Sequence, residues 1–203
     1  MFLAKTPAII KKYYPKLVWE VPNPENKIFL TFDDGPIPEV TEWVLDVLLQ
    51  HNIKATFFCI GDNVSKHNAI YMRILADGHA VGNHTYNHLS GWSTGRLKYL
   101  KNIEECSKLI DSNLFRPPYG RIKKSQLKYI TKTHKVIMWS VLSGDFDLST
   151  SPERCYQNVV KNTVSGSVIV FHDSFKAEAS LKYALPKAIA YLLAEGFSFD
   201  VLK

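Results

Sequence analysis

From residue 27 onward, short apolar runs alternate with amphipathic stretches of helical period, and no other feature constrains the fold as tightly. Strand-like runs occupy 27–32, 54–60, 79–83, 114–116, 135–141, 167–171 and 197–201. Helical patterns fill 41–52, 65–76, 94–110, 125–133 and 181–194, and a further helix opens at Ser151-Pro152-Glu153, with Ser placed to cap and Pro in the first turn. Thr41 is the expected cap of the first helix. Strands that alternate with helices of this length build parallel βα units. Seven or eight such units in 203 residues predict an α/β fold, a distorted (β/α)7-8 barrel of the TIM-barrel kind. An open doubly wound sheet is the alternative. The expected division is an N-terminal extension, residues 1–26, packed on the barrel through Tyr13, Tyr14, Leu17, Val18 and Trp19, and one domain over 27–203.

Composition excludes several classes. At 46% hydrophobic and 22% charged residues the chain is far from a disordered composition. No apolar run approaches the roughly 18–20 residues of a membrane span. The N-terminus lacks an apolar core followed by a small-residue cleavage site, so a cytoplasmic chain is expected, with a cell-envelope substrate as the alternative. Cys59, Cys106 and Cys155 are widely spaced, fit neither a zinc knuckle nor a disulfide framework, and read as buried small residues. The net charge of +6 is first a solvated face and second an attraction to an acidic polymer. Nothing resembles a phosphate loop or a helix-turn-helix, so no nucleic-acid partner is expected. Monomer is the default.

Chemistry enters with Thr31-Phe32-Asp33-Asp34-Gly35-Pro36, which ends the first strand run in two adjacent carboxylates and a turn. Asp, Gly and Pro are ordinary turn residues, so a solvated turn is one reading. The other is a divided pair, one carboxylate binding a cation and the other handling a proton.

His84 and His88 follow the 79–83 strand and decide between these readings. At i and i+4 they are expected to meet on one side of a helical turn. They fall at the same end of the sheet as the carboxylates, which in such barrels is the active face. One carboxylate and two imidazoles leave open coordination positions and suit zinc or another first-row metal. The spare carboxylate is then free to act as a base. Arg116-Pro117-Pro118-Tyr119-Gly120, Ser143-Gly144-Asp145-Phe146-Asp147 and His172-Asp173-Ser174 also follow strand runs. Each has an innocent reading alone; five such clusters at one end of one sheet are hard to read as coincidence.

Together with Trp139 and Val170, these motifs resemble the polysaccharide deacetylase family, the NodB-homology domain or carbohydrate esterase family 4, over residues 27–201. The resemblance implies that Asp34, His84 and His88 hold a metal, usually Zn2+, with Co2+, Ni2+ or Mn2+ as alternatives. It implies Asp33 as catalytic base, Arg116 as the group that holds it, His172 as catalytic acid and Asp145 as its orienting partner. Tyr119 matches a backbone oxyanion donor, and Pro118, Trp139 and Val170 line the substrate site. Three positions depart from the family pattern: Leu142 where Asp is frequent, Phe146 where Trp is frequent, and Val170 where Leu is usual.

The implied activity is metal-dependent removal of N-acetyl groups from N-acetylglucosamine-containing glycans, peptidoglycan or chitin-like, with release of acetate. The alternatives are an O-acetyl esterase on acetylated xylan or a similar glycan, and a catalytically silent glycan-binding domain. Loops 89–94 and 175–180 are the expected seats of specificity, with Trp92 and Phe175 as candidate sugar-stacking aromatics.

Overall fold

A computed structural model of the chain describes residues 2–203. The elements run α1 (Ala8–Tyr13), β1 (Lys27–Asp33), α2 (Val40–Gln50), β2 (Thr56–Cys59), α3 (Gly61–Lys66), α4 (Asn68–Ala76), β3 (Ala80–Asn83), α5 (Arg96–Ser107), β4 (Leu114–Phe115), α6 (Lys124–Ile130), β5 (Lys135–Val136), β6 (Val141–Leu142), α7 (Pro152–Val160), β7 (Val168–His172), α8 (Glu178–Ala194) and β8 (Ser198–Phe199). Every strand pairing is parallel, in the order β5-β4-β3-β2-β1-β7-β6, with β8 on the lower part of β1.

The expected barrel is found, with one change in how it closes. The single run 135–141 is two strands. β5 pairs with β4 at one end of the sheet, and β6 pairs with β7 at the other. The two edges are therefore one continuous piece of chain: Ile137 N–H still bonds Phe115 O, while Ser140 N–H bonds Val168 O. Closing the sheet leaves the backbone of 137–140 short of neighbours, and the N-terminal segment supplies them. Met138 N–H bonds Val18 O, Val18 N–H bonds Val136 O, and Thr6 N–H bonds Ser140 O. Leu17 and Trp19 are buried there, Tyr14 and Val18 are half-buried, and Tyr13 lies exposed rather than anchored.

Parallel strands packed on both faces read as continuous apolar runs because neither face meets water. In β1, Ile28, Leu30 and Phe32 point outward into the main core against the helices. Phe29 points inward with Phe58, Val168 and Ile137. The same inward column continues upward as Thr31 and Asp33, so the barrel interior changes from apolar at the base to charged at the mouth.

Two helix expectations are corrected. The 65–76 pattern is the two helices α3 and α4. Thr41 does not cap α2: Glu39 and Glu42 form a capping box, and the Thr41 hydroxyl turns inward to donate to Asp173 Oδ2 at 2.6 Å. Ser151 does cap α7, accepting the Arg154 N–H. The three cysteines are buried and unpaired. No helix among the described residues is long and apolar enough to cross a membrane.

Candidate active site at the barrel mouth

Register places the first pair. β1 and β7 align Asp33 with His172, so these side chains rise from adjacent strands about 4.8 Å apart on the same face of the sheet. Arg116, at the end of β4, reaches across the barrel to Asp33. Its Nη1 donates to Asp33 Oδ1 and to Thr31 Oγ1, both at 2.7 Å, and Nη2 donates to Met138 O at 2.9 Å. Its guanidinium lies 4.1 Å over the Phe58 ring. Arg116 is fully buried, which lowers its pKa, and the Asp33 carboxylate opposes that shift. A buried charge of this kind persists only when its donors are used, and here they are shared among a carboxylate, a hydroxyl and two carbonyls, Ile137 O and Met138 O. Arg116 engages Asp33 Oδ1, and Oδ2 has no donor among the described residues.

His172 is set by Asp145. Nδ1 lies 2.8 Å from Asp145 Oδ1, and the His172 backbone N–H donates to Oδ2 at 2.7 Å. The Ser143 hydroxyl donates to the same carboxylate, and Asn158 ties down the Ser143 carbonyl. Burial alone would lower the His172 pKa; the Asp145 charge, followed by Asp34 and Asp33, overrides it and raises it to about 9. Phe146 lies 5.0 Å from the imidazole, and Phe2 packs on Phe146 at 5.4 Å. Phe2 also fills the space over Gly144, where a Cβ would sit 2.1 Å from its ring. The N-terminal segment thus backs the wall behind His172.

The other half of the mouth is made by loops. Asp34 follows β1 with φ +88, and its Oδ1 lies 3.2 Å from His88 Nε2 and 3.7 Å from His84 Nε2. His84 and His88 do not stand on a helical turn as their spacing predicts. Thr85 (φ +64) and His88 (φ +53) are left-handed, and the loop folds back to bring both rings to Asp34. Local side chains hold that shape. Asn102 of α5 accepts the Tyr86 and Asn87 N–H groups and donates to Asn87 Oδ1. Asn83 accepts the Thr85 N–H, and Thr85 Oγ1 accepts the Leu89 N–H. Below Asp34, the buried Asp173 carboxylate accepts the Gly35 N–H at 3.0 Å; a Cβ at Gly35 would sit 2.0 Å from it. Burial pushes the Asp173 carboxyl up to about 8, with the Asp34 charge adding to the shift.

The donor set fits a cation. Asp34 Oδ1 is buried without a hydrogen bond, and the Asp34, His84 and His88 ligand atoms lie within 4.8 Å of one another. His84 Nδ1 sits 2.8 Å from Arg116 O, so that nitrogen carries the proton and Nε2 turns its lone pair toward Asp34. Burial lowers the His84 pKa to about 4, which keeps the ring neutral, the form a metal needs. Burial pushes Asp34 the other way, yet His88, His172 and His84 hold its carboxyl well below the usual carboxylate range.

Tyr119 (φ +61) turns beside His88, with ring centroids 4.6 Å apart. Pro118 is buried at the start of that turn, and Val170 is buried two residues below His172 in the inward column. Trp139 is half-buried and packs where a side chain on Gly120 would stand. The metal, catalytic and substrate-site residues named by the resemblance lie at or under one mouth. Asn102 was not singled out, although a lone Asn on the buried face of α5, between Tyr99 and Cys106, is a legible signal.

The polysaccharide deacetylase family model matches residues 20–136. Over 190 residues the chain is 35% identical to a peptidoglycan-N-acetylglucosamine deacetylase of Bacillus cereus, covering 90% of this chain and 89% of that one. A chitooligosaccharide deacetylase of Azorhizobium caulinodans is 30% identical, covering 88% of this chain and 93% of that one. A crystal structure of the Bc1960 peptidoglycan N-acetylglucosamine deacetylase, in complex with 4-naphthalen-1-yl-N-oxidanyl-benzamide, superposes with a TM-score of 0.89 at 34% identity, covering 97% of this chain and 95% of that one. With barrel, mouth and motifs in agreement, the chain belongs to the polysaccharide deacetylase family.

Proposed function

We propose that the chain hydrolyses the N-acetyl groups of N-acetylglucosamine residues in a peptidoglycan-type glycan, with Zn2+ as its metal. The observation that carries this is a proton-accepting carboxylate and a proton-donating imidazole on neighbouring strands, flanking a separate Asp34/His84/His88 donor set. The names of the relatives supply the substrate class.

A divalent metal held by Asp34, His84 and His88 would supply Lewis-acid polarisation of the acetyl carbonyl and of water. Asp33 takes a proton from the attacking water through Oδ2, while Arg116 on Oδ1 holds the carboxylate in place and aims it. The Tyr119 backbone N–H donates to the developing oxyanion, a contact worth about 10²–10³ in rate. Among the described residues of the mouth, His172 is the imidazole held protonated at neutral pH by a dedicated carboxylate. It gives that proton to the leaving nitrogen, which an amide requires because an unprotonated amine leaves poorly. The bonds broken are amide C–N and water O–H; the products are acetate and the free amino sugar.

Acetate release from N-acetylglucosamine oligomers and from peptidoglycan strands tests the reading, with metal stripped and Zn2+, Co2+, Ni2+ or Mn2+ restored. Restored release with Zn2+ supports it. Acetate released only from acetylated xylan would move the chain to ester hydrolysis, and no release from any glycan would reject catalysis.

A further inference from the structure

Beside the metal-facing histidines runs a line of exposed side chains that the chemistry above does not use. From His88 it passes to Tyr119, then to Arg121, then to Trp92, in successive steps of 4.6, 5.9 and 5.2 Å between ring centroids and the guanidinium carbon. Tyr119 and Trp92 are each about 60% exposed. Rings this open present flat faces that a ligand can stack on. The Arg121 guanidinium lies near both rings and has no carboxylate partner among the described residues.

The line stands on a rigid base although its members sit on two loops. The buried Gln126 side chain donates to Gly91 O and Thr94 O in one loop and accepts the Lys123 N–H in the other. Gly91 N–H donates to Arg121 O, and the backbones approach so closely that a Cβ on Gly91 would stand 2.4 Å from that oxygen. Trp92 and Arg121 are thus held in fixed relation before any ligand arrives.

From this geometry, and resting on the deacetylase reading above, we propose that Trp92, Arg121 and Tyr119 form a subsite for a carboxylate-bearing sugar next to the N-acetylglucosamine that reacts. The rings offer flat faces for sugar C–H surfaces. The planar guanidinium offers paired donors that match a carboxylate. Partial desolvation by two rings strengthens that pairing relative to an open surface arginine. A neutral N-acetylglucosamine polymer uses the rings only; a strand whose alternate sugars carry carboxylates uses both. The net charge of +6 aids capture of the acidic strand.

The test compares three glycans of equal length: neutral N-acetylglucosamine oligomers, alternating N-acetylglucosamine–N-acetylmuramic acid strands, and those strands with the carboxylates converted to amides. Binding is measured by calorimetry in zinc-loaded protein carrying His172→Gln, which slows turnover without touching the line. The acidic strand is expected to bind about five-fold more tightly than its amidated form in dilute salt. Arg121→Gln should abolish that ratio and leave the neutral oligomer unchanged. Trp92→Ala should weaken all three glycans. In the otherwise wild-type enzyme, Arg121→Gln should raise KM on the acidic strand and leave kcat alone. Equal binding of acidic and amidated strands, or an equal loss on all three glycans in Arg121→Gln, overturns the subsite. A carboxylate-dependent ratio without acetate release from any glycan would keep the subsite and reject the deacetylase reading.

Discussion

Asp33 and His172 stand on neighbouring strands in register, whereas Asp34, His88 and Tyr119 stand on loop backbone with positive φ. Among the described residues, seven non-glycine positions have positive φ, and four of them (Asp34, Thr85, His88 and Tyr119) lie at the mouth. Each such conformation costs about 1–3 kcal/mol and persists only where surrounding contacts over-determine it. The two halves therefore depend on different things. Sheet hydrogen bonds that would exist without any active site hold the proton-transfer half. The metal-facing half depends on side chains committed to its shape: Asn102, Asn83, Thr85 and Asp173.

The largest expected effect falls on the strand-borne half. Asp33→Asn should lower kcat by about 10³-fold or more while metal content by mass spectrometry stays near one per chain; turnover within tenfold of wild type would remove Asp33 from its role. His84→Ala or His88→Ala should instead lose metal on dialysis, and full occupancy in either variant would dissolve the donor set. Asp145→Asn separates charge from scaffold. A His172 pKa raised to about 9 keeps the donor protonated below that pH, and stability from its ion pair is fully present below about 6.5 and lost as pH rises through 9. Removing the Asp145 charge should move the basic limb of the pH–kcat profile toward 6.5, and an unmoved limb would deny His172 the acid role.

Smaller effects probe the loop-borne half and the wall behind His172. Asn102→Ala leaves two loop N–H groups without their acceptor and should cost about 2 kcal/mol in urea unfolding, with weakened metal affinity and near-normal kcat at saturating metal. If kcat at saturation fell as far as in Asp33→Asn, the two halves would not be separable. Phe2→Ala should be mildest, about 1 kcal/mol, with a small fall in kcat and no change in metal content.

Much of this was legible before the fold. Both faces of the central strands are buried over most of their length, so they read as apolar runs, and the runs at 27–32 and 167–171 could be placed to within a residue. The motifs could be assigned to one face because parallel strands all end on the same side. Where a local pattern was used without its surroundings, the reading failed. The spacing of His84 and His88 is helical, yet Asn102, eighteen residues beyond His84, holds those residues in a left-handed loop. Thr41 has the chemistry of a helix cap, yet the buried Asp173 claims its hydroxyl.

The sequence by itself determined the strand order of the chemistry, the presence of two carboxylates and two imidazoles at strand ends, and the barrel that gathers them, because hydrophobic period and residue type are local properties. Only the tertiary structure decided which oxygen of Asp33 Arg116 takes, that His84 presents Nε2, that one run of chain closes both edges of the sheet, and that Phe2 backs His172. Those outcomes depend on contacts between residues far apart in the chain, and no window of sequence contains both partners.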